Sequence, residues 1–181
     1  MKKILIGVLA GLIFVAAGYV YWQQQPLNQL HGLQVEPPRP LTPMVLLDYD
    51  NNSLGADVLY GKWSYLLFAD NQCDDNCMEL LALTNQLGAN QAVATQALLV
   101  LGYEPDAQQI QSMRQHYPNL TITVLSRSIW SIFTTQFIPV MEKLSGQPIL
   151  LVGPRGMIRM GYDELVTLTD LQTDLRILTG K

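Results

Sequence analysis

A chain of 181 residues holds about one domain's worth of protein and little more. Apolar residues make up 49% and charged residues 14%, too much apolar material for a disordered chain. The net charge of −4 argues against a nucleic-acid surface. Two cysteines and two isolated histidines supply neither a disulfide scaffold nor a zinc framework.

The low charge has a location. Residues 4–22 carry no charged or strongly polar side chain and follow Lys2 and Lys3. As a helix the run spans ~28 Å, close to the ~30 Å hydrocarbon core of a bilayer. Val15-Ala16-Ala17 offers a small-residue cleavage site, so the segment reads as a signal peptide or as a retained anchor. The run continues past that site to Tyr19, Tyr21 and Trp22, aromatics suited to a membrane interface, and the single-pass anchor is the reading adopted. No Lys or Arg follows until Arg39, so the positive-inside rule exports everything after the span. In a bacterial-type cell this places an anchor in the inner membrane and a carboxyl-terminal domain in the periplasm.

Residues 23–43 carry three glutamines in a row and Pro26, Pro37, Pro38, Pro40 and Pro43, without apolar periodicity. They read as an extended linker, which leaves residues 44–181 as the folded domain. Within it, residues 44–48 predict a short strand and residues 63–69 a buried one. Cys77, Leu80, Leu81, Thr84 and Leu87 recur at helical spacing over residues 74–87. Residues 97–101 predict a strand, 105–117 a helix opened by Pro105, and 120–125 another strand. Ile129, Ile132, Phe133 and Phe137 form one stripe of a helix over residues 128–138, ended or bent by Pro139. Residues 149–152 and 157–160 flank Gly153-Pro154-Arg155-Gly156 as a hairpin. A last helix spans residues 169–178, with Thr169 and Gln172 spaced as a capping box. Strands alternating with helices specify an α/β sandwich with a mixed sheet.

Chemistry concentrates between residues 68 and 79, where a buried strand gives way to a helix carrying Cys73 and Cys77. A helix amino terminus stabilises a thiolate through its unpaired amides and dipole. Inside a regular helix the i and i+4 Cβ atoms stand ~5–6 Å apart, too far for a disulfide at ~3.5–4.5 Å. With Cys73 just outside the first turn the gap can close, making Cys73 the exposed, attacking sulfur and Cys77 the buried, resolving one. A plain stabilising disulfide and two unrelated buried cysteines stand as alternatives. Asp70, Asp74, Asp75 and Glu79 surround the pair, opposing the dipole's effect on a thiol while complementing the helix end.

Cys-x3-Cys with Asp75 inside it, Gly61-Lys62-Trp63 twelve residues ahead of the first cysteine, Leu47-Asp48, Phe68 and the amino-terminal anchor resemble the Sco/SenC group. These are membrane-anchored, thioredoxin-fold proteins that help assemble the copper centre of cytochrome oxidase. The resemblance covers roughly residues 44–178. It implies a thioredoxin-like mixed sheet flanked by helices, with Cys73 and Cys77 as the working pair. It also implies a protein partner with reducible cysteines, such as a cytochrome oxidase subunit. Where the group has a proline after each cysteine this chain has Asp74 and Met78, and the place of its third copper ligand, a histidine, falls on Ser145. Neither His31 nor His116 can take that place. A serine hydroxyl is too hard a donor to replace an imidazole on Cu(I), so the metal reading, with Cys73 and Cys77 as ligands, ranks behind thiol–disulfide exchange needing no cofactor. Met78, Met157 and Met160 are noted as soft donors. A third reading is a non-catalytic assembly factor holding a structural disulfide. Gln147-Pro148-Ile149 is similar to the cis-proline strand that faces the redox cysteines across the thioredoxin superfamily, which adds Pro148 to the expected site; a trans proline that merely opens a strand is the plainer reading.

Overall fold

The computed structural model describes residues 30–70, 72–88 and 93–180; the anchor reading over residues 1–22 lies outside them. Among the described residues no helix is long and apolar enough to cross a membrane. In chain order the strands are β1 (Leu33–Pro40), β2 (Leu46–Leu47), β3 (Ser53–Gly55), β4 (Trp63–Ala69), β5 (Thr95–Leu101), β6 (Leu120–Val124), β7 (Ile149–Gly153) and β8 (Met157–Tyr162). The helices are α1 (Asp75–Gly88), α2 (Ala107–His116), α3 (Arg127–Thr135), α4 (Ile138–Met141) and α5 (Leu168–Thr179).

Strand β4 is buried at every position, because it lies inside the six-stranded sheet β1-β8-β7-β4-β5-β6 and helices cover both faces. β5 and β6 run parallel to it, whereas β7, β8 and β1 add antiparallel pairs on the other side. The period of two sorts side chains cleanly. Trp63, Tyr65, Leu67 and Ala69 join Leu99, Leu101, Ile149, Leu151 and Met160 beneath α1, α2 and α5. Leu66, Phe68, Leu98, Val100, Leu150 and Val152 face Phe133, Phe137 and Val140 on the opposite side.

Residues 33–40, read from the sequence as part of the linker, form an edge strand on β8. Proline is tolerated at a sheet edge because no neighbour requires its missing N–H, so the proline-rich composition conceals a strand. The expected strand over residues 44–48 contracts to β2, which pairs with β3 around a turn held by the Asp48 carboxylate. Gln136 and Pro139 split the stripe helix: α3 ends at Thr135, and Pro139 opens the short α4. Phe133 and Phe137 reach the core, but Ile132 is 59% exposed, having turned off the buried face. The last helix starts earlier than expected. Its capping box is Thr167 with Asp170, not Thr169 with Gln172, and this phase drives Leu171 and Leu175 into the core.

Candidate functional site

The cysteine segment leaves the carboxyl end of β4, where the sheet presents open backbone. The Gly102 N–H binds the Ala69 carbonyl at 2.9 Å. A Cβ at Gly102 would stand 2.1 Å from the Asp70 carbonyl oxygen, so only glycine lets the end of β5 lie against this loop. Cys73 follows outside the helix and Cys77 occupies the first turn of α1. The two are joined as a disulfide with Cα atoms 5.1 Å apart.

Two side chains define the backbone here. Asp74 accepts the Cys77 N–H at 2.9 Å through Oδ1, and its carbonyl accepts the Met78 N–H, which makes it the residue that starts α1. Gln109, from α2, accepts the Cys73 N–H at 2.9 Å and donates its side-chain amide to the Cys73 carbonyl. One glutamine therefore satisfies both backbone groups of Cys73, a residue outside any ladder or helix.

That clamp changes one expectation. Cys73 is 2% exposed and Cys77 is fully buried, and both belong to the apolar cluster under α1 and α5. Gln109 ties the Cys73 peptide to α2, and the side chain is buried in that cluster and not presented to solvent. Asp70, Asp74, Asp75 and Glu79 remain exposed around it.

Pro148 is buried just ahead of β7. Leu150 pairs with Leu66 in antiparallel register, so Pro148 falls level with Phe68, at the end of β4 from which the cysteine loop departs. The Gln147 amide donates to the Phe68 carbonyl at 2.8 Å and fixes that placement. The Gln147–Pro148 bond is trans, and the cis bond among the described residues is Glu36–Pro37. The cis expectation at Pro148 is thus overturned: proline here opens a strand at a position where no ladder N–H is required.

The residues considered as extra metal donors have contacts of their own. Ser145 gives its N–H and hydroxyl to Asp163 Oδ1 at 2.6 and 3.2 Å. Met157 pairs with Gly153 at the far end of β7, roughly 20 Å along the sheet from the cysteine end. Met160 is buried and accepts the Tyr162 hydroxyl, while Met78 packs against the core. Among the described residues no group of three His, Cys, Asp or Glu side chains is arranged to hold a metal. Cys73 and Cys77 are joined as a disulfide, and among the described residues no third His, Cys, Asp or Glu ligand is arranged with them.

A second cluster ties the chain ahead of β1 to α5. The buried Asp174 carboxylate accepts the N–H groups of His31 and Gly32 at 2.9–3.0 Å and the His31 ring at 2.8 Å. Hydrogen bonding to Asp174 holds the His31 pKa above its ordinary 6.5, partial desolvation opposes this, and the charges of Asp174 and Asp170 add to it. Burial, with Asp174 nearby, pushes the Tyr162 and Tyr65 phenols well up. The sequence places His31 in a linker and offers no sign of this contact.

A family model described as transmembrane-like, thioredoxin-like, C-terminal domain matches residues 63–179, from the first residue of β4 to the last of α5. The chain belongs to that family. Its thioredoxin-like domain is similar to solved structures of two kinds. One kind includes BsSco, a member of the Sco family of cytochrome c oxidase assembly proteins for which a disulfide switch is described. It is 16% identical at a TM-score of 0.62, over 80% of this chain and 96% of that one. Copper-bound ScoI of Arabidopsis thaliana is 15% identical at 0.61, over 77% and 98%. The other kind includes the thioredoxin domain of a thiol-disulfide oxidoreductase from Bacteroides vulgatus, 14% identical at 0.59, over 83% and 99%. At these identities the likeness is one of fold. No curated protein matches the chain by sequence.

Proposed function

We propose that this thioredoxin-like domain performs thiol–disulfide exchange through Cys73 and Cys77, as a membrane-anchored, exported protein acting on the cysteines of a respiratory oxidase subunit during assembly of its copper centre. The observation that carries the reading is the placement of the pair. A disulfide with a separation of four residues ties Cys73, ahead of α1, to Cys77 in its first turn, where it contributes about 2 kcal/mol of loop entropy, less than bridges closing long loops. A short bridge at a strand-to-helix junction, at the same end of the sheet as Pro148, suits reversible opening better than it suits reinforcement. The family's transmembrane-like description and the apolar residues 4–22 support the anchored topology, and the Sco neighbours support the oxidase-assembly setting.

In this reading the reduced Cys73 thiolate attacks a partner disulfide, forming a mixed disulfide and releasing one partner thiolate. Cys77 then attacks the mixed disulfide, which releases the second partner thiolate and leaves the Cys73–Cys77 bridge. Two electrons pass from the pair to the partner, whose two sulfurs are protonated from solvent. Pro148 shapes the surface beside the exchanging sulfurs. Because Cys73 is buried, the loop moves before a partner sulfur reaches it. The test is reduction of an exported substrate peptide disulfide by the reduced full-length protein in membranes, with Cys73→Ser and Cys77→Ser each abolishing turnover.

A further inference from the structure

We infer that Gln109, acting with Asp74, is a positioning residue that keeps Cys73 and Cys77 ready to close when they are reduced; the inference rests on the exchange reading above and deepens it.

The cysteines are one helical turn apart. Were α1 to begin a turn earlier, the Cys73 carbonyl would accept the Cys77 N–H and the Cβ atoms would separate to ~5–6 Å. The disulfide forbids this in the oxidised protein. Reduction removes that bar, and an existing helix gains one hydrogen bond for each residue it adds. The structure diverts both halves of the competing bond. The Cys77 N–H is taken by Asp74 Oδ1 at 2.9 Å, and the Cys73 carbonyl is taken by the Gln109 amide, whose oxygen also holds the Cys73 N–H at 2.9 Å.

The clamp has its own foundation. Gln109 stands on α2, next to Ile110 and near Met113, both buried in the core, and α2 is capped by the Asp106 side chain on the Gln108 N–H. The Asp106 cap is made within α2 itself and does not depend on the bridge, so Gln109 holds its position when the sulfurs are free. Cys73 then keeps its non-helical backbone, the thiols stay within closing distance, and the effective concentration of one sulfur at the other stays high.

The equilibrium to measure is protein disulfide plus two glutathione thiols giving protein dithiol plus glutathione disulfide, with two electrons and two protons passing to the pair. Wild type, Gln109→Ala, Gln109→Glu, Asp74→Ala and the Gln109→Ala/Asp74→Ala double variant are equilibrated as full-length protein in glutathione buffers, and free thiols are counted by mass after alkylation. Gln109→Ala is expected to weaken the protein disulfide about tenfold, a rise of about 30 mV in potential. Gln109→Glu keeps the acceptor for the Cys73 N–H and loses the donor to its carbonyl, so it is expected to shift the same way even where the alanine variant folds poorly. The double variant should shift by more than the product of the single effects, because the competing helical bond needs both groups free. Constants within twofold of wild type for both Gln109 variants would overturn the inference, as would strictly multiplicative single effects. A wild type that fails to exchange with peptide disulfides at any potential would instead sink the function proposed above. A wild type that exchanges, beside Gln109 variants with unchanged constants, would sink only this inference.

Discussion

The buried carboxylate of Asp174 on α5 receives the His31 ring at 2.8 Å, 143 residues back along the chain. His31 is 45% exposed, with Asp170 3.5 Å from its Nε2, so the ion pair is half in water while its acid is not. Its folded-state pKa lies above 6.5, chiefly through the Asp174 hydrogen bond. Protonated His31 therefore adds stability that is complete below pH 6.5 and is lost as pH climbs through the raised value. Denaturant unfolding of wild type and His31→Ala between pH 5 and 8.5 should show a difference that shrinks on the alkaline side. A difference that grows with pH would contradict the assignment.

Asp174→Asn leaves the amide group facing the N–H donors of His31 and Gly32. The loss of at least one buried hydrogen bond should cost about 1–3 kcal/mol in unfolding free energy at pH 6. The measurement is the urea midpoint, with the slope unchanged.

Gly102→Ala should be costly out of proportion to one methyl group. The new Cβ meets the Asp70 carbonyl, which is backbone and cannot rotate away. Destabilisation of about 1–3 kcal/mol is expected, along with faster alkylation of the reduced Cys73 as its loop is pushed from β5. An unchanged alkylation rate would show that the contact does not support the cysteine loop.

Helix α3 provides an internal comparison. Phe133 is buried against Phe68 and Phe137, with ring centroids 6.2 and 5.2 Å away, and Phe133→Ala should cost about 3–5 kcal/mol. Ile132→Ala, one residue earlier and exposed, should stay within about 0.5 kcal/mol. Thermal unfolding of both variants decides this.

Much of the architecture is legible because apolar periodicity records burial. The all-apolar stretches at residues 63–69 and 97–101 announce central strands, and Leu80, Leu81 and Leu87 announce α1. The sheet edge is harder to read: residues 33–40 pair on one side only and use prolines that imitate a linker. At the site, local spacing alone pairs Cys73 with Cys77, and the hairpin after Pro148 implies its strand. Gln109 and Gln147 stay hidden because an amide that clamps backbone from 36 or 79 residues away leaves no periodic mark. Distance also hides the burial of Cys73, whose cluster is drawn from strands and helices far along the chain.

The pairing of Ser145 with Asp163 bears on copper. With two thiolates and, among the described residues, no third His, Cys, Asp or Glu ligand arranged with them, Cu(I) loaded on the reduced protein should pass readily to a competing chelator, followed by its absorbance. Met157→Ala should leave that rate unchanged, since Met157 lies at the other end of β7. Retention of one Cu(I) against the chelator would favour a metallochaperone over an exchanger.

If Cys73 attacks and Cys77 resolves, a variant lacking the resolving sulfur holds its partner as a mixed disulfide. Full-length Cys77→Ser, expressed in membranes and quenched with acid and alkylating reagent, should accumulate disulfide-linked complexes that vanish on reduction, whereas Cys73→Ser should accumulate none. Trapped complexes with Cys73→Ser instead of Cys77→Ser, or with neither variant, would show that Cys73 is not the attacking sulfur.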